Sequence, residues 1–254
     1  MSATNYGKCL DHVFKFEGGY VDHPRDPGGA TNMGITIGTL SVHLRRPATK
    51  QEVRDLSRDT AAMIYKRKYW NVVRGDDLPD GMDLVAFDGG VNSGPSRGAR
   101  WLQRGLGVTA DGKIGPQTIG KAVSVTDGVK AIQRACTVRL GFLKGLGTWS
   151  TFGRGWGRRV ASVEAEAVAM YTRDVGRVAA EAPRADGAAK QRTGEAAGVG
   201  AGGGATSFAD VPDLVFYGVL AAALVIAVLL VTRAAQHKRR ATAYRAKAEE
   251  MANG

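Results

Sequence analysis

At 254 residues the chain has room for one substantial globular unit plus appendages. Its formal charge of +11 and pI near 9.9 suit nucleic acid, anionic lipid or an acidic wall polymer as a partner. No nucleic-acid motif accompanies the charge, and the basic residues are scattered among helical patterns, so an acidic wall polymer is favoured over nucleic acid, with nonspecific surface charge the alternative.

Met1 to Lys8 holds no apolar run long enough for a signal peptide. Tyr6, Cys9, Leu10, Val13 and Phe14 then recur at three- and four-residue spacing, one apolar face of a helix that Gly18 and Gly19 would stop. This predicts Glu17 in the last helical turn. At that negative end a carboxylate is disfavoured as an anion, and so is one packed against aromatic rings. Both effects keep a Glu protonated for general acid work. A Gly- and Pro-punctuated stretch follows, expected to turn as a small irregular hairpin and carrying Asp22, Asp26 and the Thr31 hydroxyl. A Glu ending a helix and an Asp in the next hairpin suit inverting glycoside hydrolysis. The acid protonates the leaving oxygen while the base activates a water across a gap of roughly 6.5 to 9.5 Å.

Ile37 to Leu44 reads as a short helix, and Thr49 with Glu52 as a capping box for another. Ser57 opens a helix bearing Ala61, Ile64, Tyr65, Tyr69 and Trp70, aromatics that read as core rather than sugar platforms. Met82 to Val91 is helical and leads into Asn92-Ser93-Gly94. Asp88 there is expected to hold the fold, and Asn92 either to hold the fold or to bind a sugar amide. From Ala99, a helix, a Gly-Asp-Gly turn and a helix started by Pro116 are expected, then a long helix capped by Asp127 and an Ala-rich one ending near Val178. Cys9 and Cys136 fall on apolar positions, which predicts two buried thiols. A bridge is the alternative outside the cytoplasm. His12, His23, His43 and His237 are spaced too irregularly for a zinc set, although His23 is a candidate to line the cleft. No metal and no cofactor is expected.

Residues 179–210 are rich in Ala and Gly with scattered charge and are expected to be a flexible linker. Leu214 to Thr232 carries no charge, and at ~1.5 Å per residue it can cross a hydrocarbon core of about 30 Å. Phe216 and Tyr217 suit one interface. Asp210 and Asp213 precede the span, whereas Arg233, Lys238, Arg239, Arg240, Arg245 and Lys247 follow it. This asymmetry predicts a cytoplasmic tail with the preceding body across the membrane, which is the periplasmic side where the membrane is a bacterial inner membrane. Export of that body without a leader would need a reverse anchor or a pore, a holin being one candidate partner.

Glu17-Gly18-Gly19-Tyr20, Asp26-Pro27-Gly28-Gly29 and Thr31-Asn32-Met33-Gly34-Ile35-Thr36 resemble the signature of glycoside hydrolase family 108, bacterial and phage N-acetylmuramidases. Phe87-Asp88-Gly89-Gly90-Val91-Asn92-Ser93-Gly94 and the closing Trp149 to Val160 stretch also match. Trp101 to Thr118 resembles the repeat of small peptidoglycan-binding domains. In the wider phage lysozyme pattern a Glu precedes an Asp by nine positions, as Glu17 precedes Asp26. The Thr here stands one position early, where Asn32 follows, so either residue can be the one that holds the water. The resemblance implies a mainly α, lysozyme-like body with a small hairpin. Glu17 would be the acid, Asp26 the base and Thr31 the water's partner, with Tyr20, His23, Asn32 and Asn92 on the glycan. Implied divisions are a catalytic lobe over 1–94, a second lobe over 95–178, the linker over 179–210, a span over 211–233 and a basic tail over 234–254. The activity implied is cleavage of peptidoglycan strands between N-acetylmuramic acid and N-acetylglucosamine. A lytic transglycosylase using Glu17 alone and a non-catalytic wall anchor are the alternatives.

Overall fold

The computed structural model describes residues 5–22, 28–201 and 213–254. It is mainly helical with one two-stranded hairpin, and it divides into two compact units, Met1–Leu146 and Gly147–Gly254.

In the first unit, α1 (Asn5–Phe14) is followed by β1 (Thr31–Asn32), β2 (Ile35–Thr36) and α2 (Ile37–Leu44). Next come α3 (Lys50–Arg54), α4 (Arg58–Tyr65), a π turn over Lys66–Trp70 and a short 3-10 turn over Gly75–Asp77. The unit closes with α5 (Met82–Ser93), α6 (Pro95–Leu106), α7 (Pro116–Ser124) and α8 (Gly128–Lys144). Local signals account for most boundaries. Thr36 and Ser57 accept the first free backbone N–H groups of α2 and α4, Asp127 does so for α8, and the Thr49–Glu52 capping box is complete. Pro95 and Pro116 open α6 and α7, where a missing N–H costs nothing.

The centre of this unit is α5, buried on every side from Met82 to Gly90. Such a helix needs close neighbours. Gly98 of α6 provides one, because a Cβ there would lie 2.4 Å from the Ala86 carbonyl oxygen and 2.5 Å from the Gly90 nitrogen. Phe87 makes edge contacts with Tyr6, Tyr65 and Trp70, so these aromatics are core, as their spacing predicts. Two carboxylates are buried on the same helix. Asp88 pairs with Arg139 of α8 at 2.5 Å, and Arg139 also donates to Asn92 at 3.3 Å. Gln103 donates to Asp111, the Lys113 carbonyl and Thr118 and accepts from Gly112 N–H, which staples α6 to α7. Gln103 and Thr118 of the Trp101–Thr118 stretch are thus engaged inside the fold. Cys9 and Cys136 are both buried and are not joined in a disulfide.

The second unit comprises α9 (Trp149–Thr172), α10 (Val175–Ala201) and α11 (Asp213–Asn253). The expected flexible linker is helical as far as Ala201. Alanine is the strongest helix former, and Val178, Ala182 and Ala185 make a buried stripe along α10, which packs against α11. Residues 202–212 lie outside those described. The segment expected as a separate basic tail is instead the C-terminal part of α11 and packs against α9. Ala241 and Tyr244 are buried, and Tyr244 and Arg240 donate to the buried Glu164 carboxylate. Gly218 to Val231, by contrast, exposes Val219, Leu220, Leu224, Val225, Ile226, Val228 and Leu229. This helix is long and apolar enough to cross a membrane.

Burial pushes the Asp83 carboxyl from its ordinary 3.8 up to about 7, partly offset by hydrogen bonds from Asn5 and the Leu84 N–H. The folded chain therefore keeps a proton that the unfolded chain has released, and stability falls as pH rises from about 4 to about 7. Asp83→Asn, with the Asn5 amide turned round, should be the more stable protein at about pH 8, and the gap should close towards about pH 4. Thermal melts across that range check this, and a gap independent of pH would refute it.

Candidate active site

Helix α1 ends at Phe14, one turn earlier than the glycines predict. The amides of Lys15 and Phe16 bond the carbonyls of His12 and Val13, i to i+3, and this tightening closes the helix. Glu17 therefore lies in the turn beyond α1 rather than in its last turn, and it is half-buried. The chain then runs extended through Tyr20, and Val21 pairs with Thr31 by two hydrogen bonds of 2.8 Å. That bridge closes the loop between them and lays the Glu17 segment beside the hairpin.

The hairpin is minimal. Thr31 faces Thr36 and Asn32 faces Ile35, joined by the two residues Met33 and Gly34. Both have positive φ, +47° at Met33 and +71° at Gly34, the pattern of the primed turns that match strand twist. Met33 N–H donates to the Gly18 carbonyl at 3.1 Å, so the turn is pinned to the backbone next to Glu17. The carboxyl of Glu17 comes down on Gly34. A Cβ at Gly34 would stand 2.5 Å from Glu17 Oε2 and 2.5 Å from the Tyr65 hydroxyl oxygen. Tyr69, one turn beyond Tyr65, is half-buried. Its phenol is pushed up by burial first and by the negative charge of Glu17 second.

The other candidates are placed as follows. Thr31 is half-buried, and its hydroxyl donates to the Gly29 carbonyl at 3.0 Å. Its lone pairs can still accept. Asn32 points the other way along the strand and gives its amide to the carbonyls of Val53 and Arg54, both at 3.0 Å, which caps the end of α3. Tyr20 is half-buried under the Arg54 guanidinium, 4.5 Å from its ring centre. Asp22 is paired with Lys50 at 3.0 Å. Asn92 sits on α5 and takes its contact from Arg139. His23 and Asp26 lie outside the described residues. The geometry thus brings Glu17, the Met33–Gly34 turn, Tyr65 and Tyr69 together. Tyr65 was expected only as core, because periodicity reports which face a residue lies on and not which backbone atom its hydroxyl reaches.

Among the described residues no group of three or more His, Cys, Asp or Glu could hold a metal ion. A carboxylic acid set on a backbone turn, beside a strand bearing a hydroxyl, suits proton transfer to a bound sugar oxygen. The arrangement is that of a glycoside hydrolase. Residues 10–94 match the family described as Glycosyl hydrolase 108. The chain is similar to the solved structure of SagA from Brucella abortus, with 47% identity and a TM-score of 0.60 over 67% of this chain and 98% of that one. The chain belongs to the glycosyl hydrolase 108 family. No curated protein matches it.

Proposed function

We propose that this chain is a membrane-tethered N-acetylmuramidase that hydrolyses peptidoglycan strands between N-acetylmuramic acid and N-acetylglucosamine with inversion. The observation that carries the reading is the seat of Glu17 on the Met33–Gly34 turn, in a chain of a glycosyl hydrolase family. Glu17 is the general acid. Asp26 is the general base, at the nine-residue offset from Glu17. Asp22 is a weaker candidate because its carboxylate already pairs with Lys50. Of the two candidates for holding the water, the geometry favours Thr31, since the Asn32 amide is engaged on the end of α3. Tyr20 and His23 are proposed to meet the glycan. Asn92, held by Arg139, is better suited to supporting α5 than to reaching sugar. The peptidoglycan-like stretch is likewise better read as the second part of a folded unit than as a separate anchor, given the Gln103 network.

Glu17→Gln keeps the shape of the side chain but cannot supply the proton, so the rate of wall hydrolysis should fall by roughly 10²- to 10⁴-fold. Asp26→Ala should be comparably impaired and partly rescued by azide, yielding a glycosyl azide inverted at the anomeric carbon. Activity of Glu17→Gln within about threefold of wild type would remove the acid assignment. Product ends from the wild-type enzyme separate hydrolysis from transglycosylation: a reducing end supports the proposal, and an anhydro-muramyl end moves the reaction to the transglycosylase class.

The tether is proposed to be Leu214 to Thr232, supported by its length, its lack of charge and the exposure of its apolar side chains from Gly218 onward. The proposed orientation places the span's acidic flank outside and its basic flank in the cytoplasm. Replacing Leu224 and Leu229 by Arg puts two charges within the span, each costing ~2.5 to 3.5 kcal/mol on the insertion scale. The double variant should leave the membrane pellet for the soluble fraction. Retention through a carbonate wash would show that another segment is the anchor.

A further inference from the structure

Three parts of the first unit converge on the Met33–Gly34 turn: the Gly18 backbone, the Glu17 carboxyl and the Tyr65 phenol. Tyr65 is the last residue of α4 and is 2% exposed. Its ring packs edge-on to Phe14 at the end of α1 and to Phe87 of α5, contacts a Phe would make equally well. What a Phe lacks is the hydroxyl, which donates to the Met33 carbonyl at 2.9 Å. A hydroxyl buried this deeply is unfavourable unless it has a partner, and here a partner is the turn on which the Glu17 carboxyl rests.

We propose that Tyr65 and Gly34 are positioning residues for Glu17. The proposal rests on the reading of Glu17 as the acid. Gly34 provides a floor with no side chain, so that the carboxyl and the phenol approach the same point. Tyr65 fixes that floor by holding the Met33 carbonyl. The chain passes into a π turn directly after Tyr65, and this wider turn sets where Tyr69 falls next to it. Tyr69 lies beside Tyr65, with ring centres 5.4 Å apart.

The test is Tyr65→Phe in the full chain, alone and combined with Glu17→Gln. Loss of the hydroxyl should lower kcat about tenfold or more at unchanged KM, with the melting temperature close to wild type, because a small misplacement of an acid is costly. In the Glu17→Gln background the same change should cost nothing further. Gly34→Ala should lower kcat by about 10²-fold, since its methyl displaces the carboxyl. A Tyr65→Phe or Gly34→Ala enzyme with wild-type kcat overturns the proposal. So does an equal loss from Tyr65→Phe in both backgrounds, which is what a purely structural role would give. If Glu17→Gln is itself fully active, the acid assignment falls and this inference falls with it.

A different observation, in the second unit, carries a second inference. Glu164 of α9 is buried and accepts from Arg240 Nε at 2.7 Å and from the Tyr244 hydroxyl at 2.8 Å, while Lys247 Nζ lies 2.9 Å from Glu166. If Leu214–Thr232 crosses a bilayer once, α9 and the tail are separated by about 30 Å of hydrocarbon, and none of these contacts survives. On the proposed reading of the span, we infer that α11 has two mutually exclusive states. In the docked state the tail is paired with α9, and in the spanning state it is released. A water-soluble carbodiimide couples carboxylate to amine only where the two touch. In buffer, peptide mapping should find the Glu166–Lys247 amide. In carbonate-resistant protein from vesicles of phosphatidylethanolamine and phosphatidylglycerol it should be missing, while the coupling of Lys247 to Glu250 on the same helix, 3.0 Å away, persists as a control. A Glu166 cross-link in both samples, or in neither, overturns the inference. Failure of any protein to resist carbonate removes the span reading and the inference together.

Discussion

A carboxyl proposed to hand a proton to a glycosidic oxygen has to be held still, and here the Glu17 carboxyl rests on a two-residue turn. Met33 adopts φ +47°, a region that side chains with a Cβ rarely enter and that costs of order 1 kcal/mol or more. It stays there because it is fixed at both ends. Its N–H is taken by the Gly18 carbonyl, and its carbonyl is taken by the Tyr65 hydroxyl. Gly34, next to it, has no side chain to stand between that turn and Glu17. The strain at Met33 and the bareness of Gly34 are thus two aspects of one device.

The device depends in turn on α5. Tyr65 is held by rings, and Phe87 of α5 is the ring that touches Tyr6, Tyr65 and Trp70 alike. Burying α5 on all sides forces Asp83 and Asp88 out of water as well. The fold answers the two differently. Asp88 keeps a charge partner in Arg139, and Asp83, with an amide and a backbone N–H as its partners, is driven towards its neutral form. Removing Asp88 alone would leave Arg139 as a buried cation, so loss of one partner is costly whether or not the pair adds net stability.

Much of the first unit is legible in the chain because its signals are local. The Thr49–Glu52 box, the Ser57 and Asp127 caps and the Pro116 that opens α7 act within one helical turn, and the structure uses all of them. Where the reading erred, a contact distant in sequence decided the outcome. Gly18 and Gly19 suggested the end of α1, but Gly18 is instead the anchor for Met33, and the helix has already closed at Phe14. Asn32 looked equivalent to Thr31 for holding a water. Strand alternation puts the two on opposite sides, and α3, some twenty residues on, claims the Asn32 amide. The Glu17 motif was visible from its residues. The phenol that secures its seat was not, since nothing local marks a tyrosine hydroxyl as bound to a backbone carbonyl in another element.

The second unit shows how a charge pattern can hide a packing pattern. Read for charge, residues 233–254 are a basic flank, and the positive-inside rule then separates them from everything before the span. Read for small and apolar residues, the same helix carries Leu230, Ala234, Ala241, Tyr244 and Ala248 at spacings of four, seven, three and four, all of them buried. That is a coiled-coil seam, and α10 carries its counterpart in Val178, Ala182 and Ala185. The basic residues between these positions do not exclude packing, because Arg240 and Lys247 find Glu164 and Glu166 waiting on α9. Under the proposed span, the asymmetry of charge would set the side of the membrane on which the tail lies. The seam says where the tail goes when α11 is not inserted. On the proposed reading of the span, one helix cannot satisfy both at once, so insertion of α11 would have to offset the loss of the Glu164 contacts, and the uncharged run from Leu214 to Thr232 is the part of the chain able to supply that free energy.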